Sequence, residues 1–473
     1  MKVSRYSPHF VVVAEDDKKL EVVVPPDYDP LALEELRFFS DKEVLVREVL
    51  PKEEFQKLLQ KKLSEEIPEG EEEDSPEGGK TLDLLTAADD SPTVRLVNRI
   101  LIKAVDVGAS DVHFEPYEDE TVVRLRMDGQ LHPYLTIPPG KYAEVVSRIK
   151  VMSNLNVAER RIPQDGKFHV KVGQKDYDVR VSVVPTVFGE RVVLRLLDKS
   201  GKLLTLTDLG LSEEDLKKVE RLTAKPYGMI LVTGPTGAGK STTLYAMLLK
   251  LKSPRRNIIT IEDPVEYQIK GIGQIQVNPK VGLTFAAGLR SILRQDPDVI
   301  MVGEIRDSET AQIAVQAALT GHLVLSTLHT NDAPSAVTRL KDMEVEPFLI
   351  ASALEGVIAQ RLVRRICPHC KVPYKPTEEE LKNLGLPPEG EYTFYKGKGC
   401  EHCLGTGYKG RIAIFEVLEL NEELKKLITK TQDANEIRKA ARRHGFKTML
   451  EDGREKVLKG ITTSSEVLSA VKV

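Results

Sequence analysis

The stretch Gly234-Pro-Thr-Gly-Ala-Gly-Lys-Ser241 constrains the fold of this chain more than any other. It matches G-x-x-x-x-G-K-[ST] in full, follows the apolar run Met229–Thr233 and opens a helical run, Lys240–Leu251. Glycines let such a loop curl until successive N–H groups converge on phosphate oxygens, and the positive end of the helix adds to that field. Lys240 is placed to reach the β- and γ-phosphates, and the Ser241 hydroxyl to ligate Mg²⁺. The expected phosphate-binding set is Gly234, Pro235, Thr236, Gly237, Ala238, Gly239, Lys240, Ser241 and Thr242.

Downstream, short apolar strands (Ile258–Glu262, Val299–Val302, His322–Thr327) alternate with helices, the pattern of a parallel sheet covered on both faces. Two strands end in acid. Asp298-Val-Ile-Met-Val-Gly-Glu304 delivers Glu304 to the carboxyl edge, where a carboxylate holds Mg²⁺ or orients the attacking water. Thr260-Ile-Glu-Asp-Pro-Val-Glu266 sets three carboxylates beside a proline turn. A helix-capping glutamate and an acidic turn are the plainer alternatives for these two. His322 and His329 bound the last strand, with His329 on the phosphate side.

Four cysteines form two C-x₂-C pairs, Cys367/Cys370 and Cys400/Cys403, separated by twenty-nine residues. So few cysteines in 473 residues cannot make a secreted disulfide framework. Four thiolates suit tetrahedral structural Zn²⁺, and a helix-like insert, Thr377–Leu384, accounts for the long spacer. His369 and His402 are competing ligands, and redox-active cysteines the alternative role.

Residues 1–63 read as a small α/β module, with strands Phe10–Ala14 and Leu20–Val24 and helices Leu31–Phe38 and Glu53–Leu63. Residues 64–80 carry eight acidic side chains and read as a flexible linker. An α+β domain, 81–205, follows, with helices Thr93–Val107 and Tyr142–Ser153 and strands Asp111–Glu115, Thr121–Met127, Lys167–Val172, Tyr177–Val184 and Val192–Leu197. The core domain is 206–473, including a cysteine-bearing part, 362–411, and a helical tail, 412–473. A net charge of −4 argues against a nucleic-acid track, which calls for a basic face. The longest uncharged run, Thr310–Asn331, holds too many polar residues for a membrane span and reads as helix, turn and strand.

Together these motifs resemble the secretion ATPase superfamily of type II secretion and type IV pilus assembly. The resemblance, from about Leu82 to Val473, also rests on Gly108-Ala-Ser-Asp-Val-His-Phe-Glu-Pro116, Glu159-Arg-Arg-Ile-Pro-Gln-Asp-Gly166, Gly189-Glu-Arg-Val-Val-Leu-Arg195 and Thr320-Gly-His-Leu-Val-Leu-Ser-Thr-Leu-His-Thr330. It implies a RecA-like P-loop ATPase core joined to a PAS-like domain, a hexameric ring, and ATP bound between the two domains with a neighbour completing the site. On that template Glu262 is the water-activating carboxylate and Glu304 the Mg²⁺-side one. Arg180 and Arg191 become candidates for the γ-phosphate, and His329 joins the catalytic set. The cysteine part resembles the assembly ATPases, which retraction ATPases of pili lack, and the short N-terminal module is more similar to the type II secretion ATPase than to pilus-extension ATPases. The implied setting is the cytoplasmic face of the inner membrane. The implied partners are a platform protein and a membrane-anchored protein with a cytoplasmic domain, with no nucleic acid and no direct insertion in the membrane.

Overall fold

The computed structural model describes residues 6–58 except 8–9, 16–17, 29, 31–32, 34–35, 38–41 and 56–57, then 82–83, and 91–471 except 174 and 200–202. The expected acidic linker, 64–80, lies outside the described residues. The chain divides into two compact units, Met1–Gly78 and Gly79–Val473.

The first unit is a four-stranded sheet in sequential order: Tyr6–Ser7, Phe10–Glu15, Lys19–Val24 and Glu43–Val49. Its side chains alternate as a pleated strand requires. Phe10, Val12, Leu20, Val22 and Val24 enter one cluster with Leu36, whereas Val11 and Val23 meet Phe55 on the other side.

The second unit holds two seven-stranded sheets. The first runs in the order Leu82–Asp83, Gln164–Val172, Lys175–Thr186, Gly189–Asp198, Asp111–Pro116, Thr121–Met127, Gln130–Ile137. Helix Pro92–Asp106 buries Val97, Ile100, Leu101 and Ala104 against it, and helix Pro139–Met152 adds Val145 and Ile149. Gln130–Ile137 was not expected as a strand, because Pro133 interrupts its pattern. The structure admits that proline on an edge strand, where the register shifts beside it.

The second sheet runs Gly273–Gln276, Ile258–Glu262, Val299–Val302, Leu323–Leu328, Gly228–Thr233, Leu354–Ile366, Tyr408–Glu419. The first six strands are parallel, and their central members are buried throughout and mostly apolar because helices cover both faces. The last pair is antiparallel. Three expectations change here. His322 and His329 flank the strand Leu323–Leu328 instead of starting and ending it. Residues 354–366 continue the sheet into the stretch read as cysteine-rich, and the expected helical tail opens with Tyr408–Glu419, a strand. The cysteine segment is thus an insert between neighbouring strands. It carries a small antiparallel pair (Lys371–Tyr374, Phe394–Gly397) and a helix, Glu378–Asn383, capped by Thr377 and Glu380.

Candidate functional site

Strand Gly228–Thr233 runs into the loop 234–239, and helix Lys240–Leu251 leaves it, at the carboxyl edge where order along the sheet reverses. Two glycines are required by geometry. A Cβ on Gly234 would stand 2.7 Å from the Gln360 carbonyl oxygen, and Gly239 caps the helix at a left-handed φ of 85°. Buried Gln360 supports the loop from below. Its Nε2 donates to the Ala238 carbonyl at 2.7 Å, and its Oε1 accepts from the Thr243 hydroxyl at 2.6 Å.

Lys240 Nζ donates to the carbonyls of Gly234 (2.8 Å) and Pro235 (3.0 Å) and lies 3.4 Å from His329 Nδ1. Burial pushes its pKa down to about 8; the Glu304 charge opposes this and Arg361 adds to it. A cleft of about 400 Å³ opens over the loop, and Ser241, Glu262, Glu304 and His329 all line it. Asp263 and Glu266 of the acidic turn line it too. Glu304 is paired with Arg306 Nε at 2.7 Å and lies 3.7 Å from His329 Nε2. Glu262, 4% exposed, accepts hydrogen bonds from Thr260 (2.6 Å), Gln274 (3.1 Å) and the Tyr245 hydroxyl. This cleft can hold a polyphosphate against the loop, with a hydroxyl and carboxylates for a divalent cation and a carboxylate for water.

The other sheet carries the two arginines, and neither lines the cleft. Arg191 donates to Glu115 at 2.6 Å. Burial works against charge on Glu115, yet the Arg124 and Arg191 guanidiniums hold its carboxyl below the ordinary value. Arg180 is exposed, stands across from Lys167 and Arg195 in the strand register, and has no carboxylate pair among the described residues. His322 is tied to its own turn, with Nδ1 2.9 Å from the Ala317 carbonyl.

The four sulfur atoms lie within 4.8 Å of one another, with separations of 3.7 Å (Cys400–Cys403), 3.8 Å (Cys367–Cys400) and 3.9 Å (Cys370–Cys403). Four thiolates at ~2.3 Å around one tetrahedral ion stand about 3.8 Å apart, so the donor set fits zinc. Backbone N–H groups of Cys400 and Gly407 point at Cys403 Sγ, each at 3.2 Å. Burial opposes ionisation there, but these donors prevail and bring that thiol down to about 6. His369 and His402 stack on each other at 4.0 Å between ring centroids and supply none of the cluster's four donor atoms.

Sequence reasoning missed Tyr245, Thr260, Gln274, Arg306 and Gln360. Arg306 carried a signal, since it stands two residues beyond Glu304 in the sequence. The others act on groups distant in sequence or, in Thr260, through a rotamer that no spacing rule reports.

The family described as type II/IV secretion system protein matches residues 86–469. The chain is 48% identical over 469 residues to type II secretion system protein E of Dickeya dadantii, covering 96% of this chain and 92% of that protein. It is 53% identical over 384 residues to the type IV pilus assembly ATPase PilB of Thermus thermophilus, covering 80% of this chain but only 43% of that protein. Among solved structures, the pilus retraction motor PilT with bound ADP superposes with a TM-score of 0.53 at 28% identity, covering 79% of this chain and 96% of PilT. The Legionella pneumophila ATPase DotB superposes at 0.60 with 21% identity, covering 84% and 98%, and there the likeness is one of fold.

Proposed function

This chain belongs to the type II/IV secretion system family and hydrolyses ATP, and from that premise we propose that its turnover drives assembly of a pseudopilus for protein export by a type II secretion system. The observation carrying this choice is coverage. The alignment to the Dickeya dadantii type II protein takes in 96% of the chain, and so most of its N-terminal unit, whereas the Thermus thermophilus pilus ATPase is matched over 43% of its own length. Extension of a type IV pilus is the second reading, favoured by the 53% identity to that same ATPase.

The active assembly is a homo-hexamer at the cytoplasmic face of the inner membrane, docked through its N-terminal module to a membrane-anchored partner, with an inner-membrane platform protein as its second partner. In support, no described helix is long and apolar enough to cross a membrane. The loop N–H groups and Lys240 hold the β- and γ-phosphates, and Ser241 and Glu304 supply the ligands for Mg²⁺. That ion would neutralise phosphate charge when bound. Glu262 orients water for attack on the γ-phosphorus and accepts its proton. Arg180 is the better placed of the two arginines to meet the developing charge, since it is not engaged by a carboxylate. Arg191 is committed to Glu115. Zn²⁺ on Cys367, Cys370, Cys400 and Cys403 fixes the inserted module.

Turnover of Mg-ATP by the purified chain tests the enzymatic part. Lys240→Ala should abolish it while leaving the circular dichroism spectrum unchanged, and strong stimulation of the native chain by single-stranded DNA would overturn the secretion reading. Deleting the gene in its host separates the alternatives: loss of secreted proteins with pili intact supports type II secretion, and the converse supports pilus extension.

A further inference from the structure

Tyr245 lies on the helix that the phosphate loop opens, five residues beyond Lys240, and its hydroxyl reaches the acidic turn. Its hydroxyl donates to Glu262 Oε1 and accepts the Glu266 backbone N–H at 3.2 Å. Its ring meets Tyr267 edge-on at 6.1 Å. Tyr245 is 3% exposed, and burial, reinforced by Glu262, pushes its phenol well above the ordinary value, so the hydroxyl keeps its proton and remains a donor to the carboxylate. Thr260 and Gln274 donate to the other oxygen, Oε2. Oε1 therefore has Tyr245 as its side-chain donor, while Oε2 is held from within its own sheet.

We infer that Tyr245 is a positioning residue that ties the Glu262 carboxylate to the phosphate-loop helix, so that one rigid element sets both the lysine under the phosphates and the carboxylate beside the water. A carboxylate with free rotation about its last torsion samples many orientations, and misplacement of about 1 Å costs up to ~10²-fold in rate. Thr260 and Gln274 restrain Oε2 from within the sheet, and the Tyr245 hydroxyl on Oε1 fixes the rotation they leave and ties it to the helix. This rests on the reading of Glu262 as the water-orienting carboxylate.

The test uses the full chain as Tyr245→Phe, Glu262→Gln and the double variant. Steady-state kcat with Mg-ATP, affinity for a fluorescent ATP analogue and thermal midpoint are measured for each. Expected are a roughly tenfold fall in kcat for Tyr245→Phe, with analogue affinity and midpoint close to native, and a fall of about 10²-fold or more for Glu262→Gln. The double variant should be no slower than Glu262→Gln alone, because a residue that acts through the carboxylate has nothing left to position. Native kcat in Tyr245→Phe beside an inactive Glu262→Gln would overturn the positioning role while leaving the Glu262 reading standing. Full turnover in Glu262→Gln would remove the Glu262 reading and this inference with it. A loss of kcat in Tyr245→Phe matched by an equal loss of analogue affinity would make Tyr245 a structural residue and also overturn the inference.

Discussion

Lys240 shows how much of a site one side chain reports. Its place in the phosphate loop was legible from spacing alone, because the loop's chemistry fixes which residue type stands there. Its protonation was not, because the burial that lowers its pKa to about 8 comes from the assembled fold around it. The sign of the consequence follows directly. A polyphosphate binds the protonated amine better, so nucleotide affinity is fully present below pH 8 and declines as pH rises through that value. Titration of the native chain with a fluorescent ATP analogue from pH 6.5 to 9.5 should show the decline, and Lys240→Arg, which stays charged, should flatten it. Tyr245 and Gln360 mark the opposite case. Each holds a segment of the candidate site through two polar contacts to partners seventeen or more residues away, and no local pattern announces such pairs.

At the scale of elements, the strands buried on both faces were the most legible, since an unbroken apolar run bounded by turns has few other uses. Ile258–Glu262 and Val299–Val302 have the same bounds in sequence and structure. Leu354–Ile366 escaped notice because Glu355, Gln360 and three arginines break its apolar run, although each is accommodated. Glu355 pairs with Lys225 and Lys425, Arg361 donates to the Asn331 carbonyl at 2.8 Å, and Arg364 pairs with Glu466 at 2.7 Å. The cysteine insert follows from this strand: Cys367 is its next residue, and its N–H donates to the Gly407 carbonyl at 2.9 Å. Replacing Cys367 and Cys370 by Ser should release one zinc per chain, measured by mass spectrometry, and lower the thermal midpoint, because ion binding and ordering of the insert are one free energy. A chelator should reproduce both effects in the native chain.

For the whole molecule, the cleft in one copy presents Lys240 and Arg306 as its lining cations, while Arg180 sits on the other sheet of the same unit. Resemblance alone had paired Arg180 with Arg191; the Glu115 contact now separates them. Arg180→Gln should lower kcat by about 10²-fold or more while changing analogue affinity far less, as expected of a cation that meets charge only in the transition state. Arg191→Gln should instead disturb the Asp111–Pro116 strand, which carries Glu115, and appear mainly as a lower thermal midpoint. Light scattering on the native chain, with and without nucleotide, would show whether a species of six 52.7 kDa copies accompanies turnover.

The register that pairs Ile366 with Tyr408 has a consequence for how such chains can be cut and joined. Partners in adjacent strands stand about 5 Å apart, a gap that a tight two-residue turn closes. The segment between them, cysteines included, joins the sheet at that one pair but also packs Leu381, Leu384 and Phe394 into the core beside the last helices, where Ser464 donates to Glu380 at 2.7 Å. Excising 367–407 and sealing the ends with Asn-Gly would leave every ladder partner of the two long strands in place, and would uncover the core surface those three side chains fill.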